Sequence, residues 1–144
     1  MLSPLSYWIL LLAVTAYAFA KGRMDERLAA VICVAATIGT ILVNSPLSVR
    51  FSSVEVGVLI VDVLAFGAFT AIALRTDRFW PLWVAGLQLT TTMAHFLRAV
   101  DLHLMPQAYA AAARLWVYPI FLIIVIGTWR SSRRESDDAI PTLA

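Results

Sequence analysis

Five apolar segments, each long enough to cross a lipid bilayer as a helix, occupy most of this chain of 144 residues. A membrane-crossing helix needs about 17–25 mostly apolar residues, and backbone inside a bilayer must satisfy its own hydrogen bonds. No segment shows the alternation of apolar and polar residues that is typical of a barrel strand. The sequence therefore predicts five transmembrane helices, at residues 4–20, 28–44, 56–74, 79–97 and 108–129.

The composition agrees with a membrane domain. Hydrophobic residues make up 61% of the chain and charged residues 14%, whereas soluble domains average about 45–50% and about 25%. A chain this short has too little interior to bury so much apolar surface in water. We expect an all-α integral membrane bundle over residues 1–130, followed by a short polar cytoplasmic tail, 131–144, that is mostly disordered. The net charge of +2 gives no support for nucleic-acid binding.

The basic residues between the segments predict the orientation of the bundle, because cytoplasmic loops carry an excess of Lys and Arg. Alternate loops hold eight of them on one side and two, Arg50 and Arg98, on the other. The eight are Lys21, Arg23, Arg27, Arg75, Arg78, Arg130, Arg133 and Arg134. This alternation requires five crossings and places the N-terminus outside and the C-terminus in the cytoplasm. Abundant arginine and alanine suggest a GC-rich bacterial genome, so we expect a multi-pass protein of a bacterial inner membrane.

Two opposite charges inside apolar segments indicate a buried contact. Asp62 and Arg114 each lie six residues after the outer start of their segment, which is about 9 Å deep at about 1.5 Å per residue. A charge near the centre of a bilayer costs about 2.5–3.5 kcal/mol. We therefore predict that Asp62 and Arg114 meet, directly or through water.

Further polar residues are expected near this pair. Gln88, His95 and Arg98 are spaced so that they share one face of the fourth helix, together with Thr91. Asp101 and His103 follow in the outer loop, and two aromatic residues flank Arg114. The predicted polar cluster lies in the outer half of the bundle and contains Asp62, Gln88, His95, Arg98, Asp101, His103, Arg114, Trp116 and Tyr118.

Three roles for this cluster remain open. It can lock the packing of the helices, it can bind a small ligand such as a quinol, a lipid headgroup, a metal or a haem, or it can line a path for an ion or proton. His95, Asp101 and His103 are suitable ligands for zinc, copper or iron, but their spacing matches no compact motif, so no cofactor is assigned. The chain contains no nucleophile–base pair, phosphate loop or metalloprotease signature, which leaves enzymatic activity undecided.

Small residues suggest contacts between helices, within the chain or between chains. Ala35 and Gly39 lie four residues apart, as do Gly67 and Ala71, and such pairs let helix backbones approach closely in lipid. We expect an accessory membrane protein that forms a homo-oligomer or joins a larger membrane complex. In size, helix number and tryptophan content the chain resembles the tryptophan-rich sensory proteins of the translocator-protein family, but this resemblance assigns no role to any residue.

Overall fold

The computed structural model of the chain describes residues 4–43, 51–100 and 115–138, which form five α-helices and no strand. The expectation of an all-α fold is confirmed for this part of the chain. The helices are α1 (Pro4–Lys21), α2 (Met24–Val43), α3 (Phe51–Arg75), α4 (Trp80–Val100) and α5 (Val117–Asp138).

Two of the helices contain a segment that is long and apolar enough to cross a membrane, namely Met24–Val43 and Val56–Arg75. Leu5–Lys21 is apolar but shorter. α4 is less apolar because it carries Gln88, His95 and the threonines at 90–92, and α5 as described ends in a polar stretch. The structure thus shows a five-helix bundle, while length and composition identify two candidate crossings rather than the five expected.

The turn between α1 and α2 is tightly packed around Gly22. The Gly22 N–H donates to the carbonyl oxygen of Ala18 at 2.8 Å. A Cβ added to Gly22 would collide with that same oxygen and would lie 2.9 Å from Cβ of Glu26. α2 begins at Met24, four residues before the predicted start, because Asp25 and Glu26 in its first turn favour the positive end of the helix dipole.

The start and end of α5 differ from the sequence-based expectation. Trp116 forms a turn, and Pro119 falls in the first turn of α5, where its missing N–H is not needed. α5 then continues past its apolar part to Asp138. The expected disorder of the tail is therefore wrong for residues 131–138, whereas residues 139–144 lie outside the described part of the chain.

The five helices form a closed ring. Each packs against its neighbour in sequence, α1 closes the ring on α5, and α2 also contacts α5. The α2–α3 contact is close, because a Cβ on Gly39 would lie 3.1 Å from a methyl group of Val61. The α4–α5 contact places the Trp80 ring against Gly127, where an added Cβ would lie 3.2–3.3 Å from ring atoms.

The core of the ring is made of alanines, branched aliphatic side chains and two phenylalanines. Its buried members are Leu11, Val14, Ala18, Ala29, Ala30, Ala65, Phe69, Ile72, Val84, Ala85, Ile120, Phe121 and Ile124. At the end of the bundle where α1 begins, the Tyr7 hydroxyl is hydrogen-bonded to Thr37 Oγ1 of α2 at 2.7 Å, and the Tyr7 ring lies 5.9 Å from that of Phe121 in α5. These contacts join α1, α2 and α5.

The helix directions bring most of the positive charge to one end. The α1–α2 turn and the α3–α4 turn are held together by side-chain contacts, and the last turns of α5 lie beside the end of α1. We call this the basic end, defined by Lys21, Arg23, Arg27, Arg75, Arg78, Arg130, Arg133 and Arg134. The alternation read from the sequence thus corresponds to a real gathering of these positions in space.

Candidate functional site

A buried ion pair at the basic end joins α2 to the α3–α4 turn. Arg78 Nη1 lies 2.7 Å from Glu26 Oε1, and the side chains are 22% and 0% exposed. The other oxygen, Glu26 Oε2, accepts a hydrogen bond of 2.9 Å from the backbone N–H of Arg23. Glu26 is the third residue of α2, so this contact is the backbone-capping half of a capping box. Both carboxylate oxygens are thereby satisfied without water.

The neighbouring carboxylate strengthens the same junction. Thr76 Oγ1 donates to Asp25 Oδ2 at 3.0 Å. Asp25 and Glu26 belong to the α1–α2 hairpin, whereas Thr76 and Arg78 belong to the turn of the α3–α4 hairpin. Two adjacent acids therefore fasten one helical hairpin to the other.

The Glu26–Arg78 pair is absent from the sequence-based prediction, whose one buried ion pair is Asp62–Arg114. That prediction assigns residues 21–27 to a loop and uses only their positive charges. One signal was available: two acids directly before an apolar segment are typical of a helix N-terminus. The charge count put the 75–78 turn on the same side, which would have given Glu26 two candidate arginine partners.

A second polar cluster links α3 to α4 in the interior of the bundle; we call it the Asp62 cluster, consisting of Asp62, Gln88, Thr92 and His95. Gln88 Nε2 donates to Asp62 Oδ1 at 3.1 Å, and Thr92 Oγ1 lies within hydrogen-bond distance of the Asp62 carbonyl oxygen at 3.3 Å. His95 Nε2 lies 3.3 Å from Asp62 Oδ2. The structure thus brings together three of the predicted cluster residues and adds Thr92.

One oxygen of this cluster keeps acceptor capacity. Asp62 Oδ2 is buried and accepts no hydrogen bond from the described residues. Its contact with His95 meets an ion-pair distance without hydrogen-bond geometry. The carboxylate is 14% exposed and the imidazole 23%. The pair is therefore largely removed from solvent and carries a real electrostatic attraction only when His95 is protonated.

The position of Asp62 along its helix differs from the expectation. The helix was expected to start at residue 56, but α3 starts at Phe51. Asp62 therefore lies eleven residues after the start of α3, which is about 16 Å along the axis at about 1.5 Å per residue. The carboxylate is near the midpoint of the helix rather than close to its outer end. Residues 51–55, which include two serines and a glutamate, extend the helix and account for the difference.

Four of the predicted cluster residues are not placed by the structure. Asp101, His103 and Arg114 lie outside the described residues, and so does the side chain of Arg98 in the last turn of α4. The Asp62–Arg114 contact therefore stays a prediction. In the described residues no three His, Cys, Asp or Glu side chains converge on one point, so the proposed metal ligands His95, Asp101 and His103 stay untested as a set.

The two aromatic members of the predicted cluster lie apart from Asp62. Trp116 and Tyr118 are half-buried at the start of α5. α3 and α5 make no contact with each other over their described lengths. The reason is the ring arrangement, in which α4 and α2 separate α3 from α5. Neither aromatic residue is hydrogen-bonded to the Asp62 carboxylate, whose recorded partners are on α4.

A cleft opens at the basic end between the α1–α2 turn and the last turns of α5. It has a volume of about 560 Å³ and is open to the outside. We call it the basic cleft, and its lining consists of Ala20, Lys21, Gly22, Arg23, Met24, Arg27, Ser132 and Ser136. Apolarity alone does not predict this cleft, because it ends the fifth helix at residue 129, before Ser132 and Ser136.

Comparison of the chain with protein-family models, with curated proteins and with solved structures finds no match.

The Glu26–Arg78 pair gives a stability prediction. Replacing Glu26 by Gln leaves Arg78 next to a neutral group in a buried position, and we expect unfolding to become easier by about 2–4 kcal/mol. Asp77→Asn removes the same charge from an exposed neighbour and should change stability by less than about 0.5 kcal/mol. Thermal or denaturant unfolding followed by circular dichroism measures both.

With the single variant Arg78→Gln, the double variant Glu26→Gln, Arg78→Gln completes a double-mutant cycle. Because contacting residues are not additive, its cost should be clearly smaller than the sum of the two single costs. Equal effects of Glu26→Gln and Asp77→Asn, or strictly additive effects in the double variant, would show that the pair contributes nothing specific.

Proposed function

We propose that this chain is a small integral membrane protein with five crossings, its N-terminus outside and its basic end in the cytoplasm, which acts as an accessory or oligomer-forming subunit. Its two polar clusters lock the helices together. The observation that carries this proposal is the exposure of large apolar side chains on every helix. Each of α1 to α5 contributes one that is at least 60% exposed, namely Leu12, Leu42, Leu64, Trp83 and Leu122.

The most apolar segments are also poorly buried. In Met24–Val43 only 17% of the hydrophobic window is buried, and in Val56–Arg75 only 22%. An apolar core helix of a soluble protein would be mostly buried, and soluble monomers rarely expose a contiguous apolar area of more than a few hundred Å². A bilayer provides the apolar surroundings that this outer surface requires.

The hydroxyl groups of the bundle support the same placement. In lipid, a Ser or Thr hydroxyl has no water to bond with and can donate to the carbonyl four residues earlier in its own helix. This contact occurs on all five helices, at Thr15, Thr37, Thr70, Thr90, Thr91, Thr92, Thr128 and Ser136. Most of the polar side chains along the apolar lengths are thus satisfied within the protein.

The orientation can be tested by labelling cysteines in a bacterial host, in a Cys33→Ala background. Leu5→Cys is at the start of α1 and Ser136→Cys near the end of α5, and both positions are exposed. We expect a membrane-impermeant maleimide to label the first in intact cells and the second only after permeabilisation. Labelling of both positions in intact cells, or release of the chain from membranes by carbonate, would contradict the proposal.

An exposed face of small residues on α3 supports self-association. Leu64, Gly67, Ala71 and Leu74 are all exposed and share one side of the helix by their spacing. Nothing lies within 4 Å of a Cβ added to Gly67. In contrast, the small residue Gly39 is already used within the chain by contact with Val61. The α3 face therefore offers a close-approach surface to a second copy, as small-residue faces do in membrane dimers.

Self-association predicts a different response at two exposed glycines. Gly67→Leu fills the proposed interface on α3 and should shift the protein from oligomer to monomer. Gly86→Leu on α4 adds the same side chain where an added Cβ also meets no atom within 4 Å, and it should leave the oligomer intact. Native mass spectrometry in mild detergent gives the distribution. A monomeric parent protein, or equal effects of the two variants, would exclude this interface.

A second candidate function is ligand binding at the Asp62 cluster. The observation that favours it is the buried Asp62 Oδ2, which has acceptor capacity left and lies in a half-buried setting with Gln88 and His95. A ligand with a hydroxyl donor and an apolar body, such as a quinol, fits this chemistry. An ion or proton path is supported less well, because along the apolar part of the described helices Asp62 is a single carboxylate rather than one of a series.

Quinol binding would be measured by titrating the purified protein with decylubiquinol. We expect Asp62→Asn to weaken binding at least tenfold, because an amide cannot offer an acceptor at both positions of the carboxylate. Asp25→Asn, at the basic end, is the matched control and should bind as the parent does. If the parent does not bind the quinol, or if the two variants bind equally, the Asp62 cluster serves only to pack α3 against α4.

A further inference from the structure

We propose that the basic cleft binds the phosphate group of an anionic lipid headgroup. The cleft is lined by three basic side chains, Lys21, Arg23 and Arg27, and by no acidic side chain among those that the structure describes. It is an open groove with a volume of about 560 Å³. Arginine and lysine together are the residue types that most often hold phosphate oxygens.

The three cations have no acidic partner among the described side chains. None of Lys21, Arg23 and Arg27 forms a side-chain ion pair in the described structure, where the recorded ion pairs are Arg78–Glu26 and His95–Asp62. The two acids of the same segment are directed to the other hairpin, Glu26 to Arg78 and Asp25 to Thr76. The buried ion pair thus separates the charges of residues 21–27 and leaves the three cations on the side that faces the cleft.

The opposite wall of the cleft is provided by α5. Because α5 continues to Asp138, Ser132 and Ser136 face the α1–α2 turn across the opening. The Ser132 hydroxyl is not hydrogen-bonded in the described structure, and the Ser136 hydroxyl donates to the Ser132 carbonyl oxygen at 3.1 Å. Serine hydroxyls can donate to phosphate oxygens, so the wall adds neutral donors to the three cations.

The cleft also has an apolar side. Ala20 and Met24 belong to its lining, and Met24 is 69% exposed. A phosphate attached to an apolar body would place its oxygens on the arginines and its apolar part on Met24. Other arginines of the basic end are used differently. The Arg133 guanidinium, for example, lies 4.6 Å from the centroid of the Trp129 ring.

The identification of a lipid as the source of the phosphate rests on the proposed membrane placement. In that placement the apolar part of α1 ends at Ala20 and α2 begins at Met24, so the cleft lies at the level of the cytoplasmic headgroups. Basic residues near this surface attract anionic lipids. An excess of cytoplasmic Lys and Arg sets the orientation of a membrane protein without needing a shared cleft. Phosphate binding, in contrast, explains why three of these residues line one cleft together with two serines.

The test uses the full chain in mild detergent and native mass spectrometry, with phosphatidylglycerol, phosphatidylcholine and inorganic phosphate as separate probes. We expect phosphatidylglycerol to bind at least tenfold more tightly than phosphatidylcholine. The double variant Arg23→Gln, Arg27→Gln should weaken phosphatidylglycerol binding about thirtyfold, at about 1 kcal/mol for each basic residue removed. Arg75→Gln, Arg130→Gln removes the same charge from the same end but outside the cleft lining, and should weaken binding less than threefold.

Equal losses in the two double variants, or equal affinity for the two lipids, would overturn the proposal, since both results mean nonspecific attraction to the basic end. Inorganic phosphate provides the third arm. If it binds with the same dependence on Arg23 and Arg27 while phosphatidylglycerol does not, the phosphate site stands and its lipid source is wrong. Failure of the membrane proposal is separate, because the cysteine labelling described above detects it without any ligand.

Discussion

The contact between Glu26 and Arg78 connects the two helical hairpins of the bundle, α1–α2 and α3–α4. α1 and α2 are joined by two residues, and α3 and α4 by four, so each hairpin forms locally. The carboxylate of Glu26 is fully buried, and a buried carboxylate is tolerated only when it is paired and hydrogen-bonded. Arg78 and the Arg23 N–H meet that requirement together. The relative position of the hairpins at the basic end therefore follows from where these three groups can meet.

The same contact has a consequence for the surface. Since Glu26 and Asp25 are directed toward the α3–α4 turn, the positive charges of their own segment are left on the opposite side, facing α5. The contacts that join the two hairpins thus also determine where the positive charge of residues 21–27 is exposed. In the interior, by contrast, the Asp62 cluster joins α3 to α4 through Gln88 and Thr92 and keeps an incompletely satisfied oxygen. The hydrogen bonds of the Glu26 carboxylate are complete, whereas the Asp62 carboxylate keeps one oxygen that can accept a hydrogen bond from a ligand.

Particular residues show what could be predicted from the sequence. The apolar segments located all five helices, because a run of apolar residues bounded by charges has few alternatives. The 3.6-residue period placed Gln88 and His95 on one face, and both approach Asp62 in the structure. The predictions failed where polar residues continue a helix. Residues 51–55 extend α3, Asp25 and Glu26 start α2, and residues 131–138 extend α5. Apolarity alone cannot detect these additional helical turns, because a polar residue forms the same backbone hydrogen bonds in a helix as an apolar residue does.

By itself, the sequence determined the helical class, the approximate location of each helix and the gathering of basic residues at alternate turns, because these depend on local composition and on backbone hydrogen bonding. The tertiary structure decided which polar groups meet. It paired Glu26 with Arg78 across 52 positions of the chain and Asp62 with Gln88 across 26, and it formed a cleft from α1, α2 and α5. Such pairings depend on the order of helices around the ring and on how far each extends, and no local property of the chain encodes either.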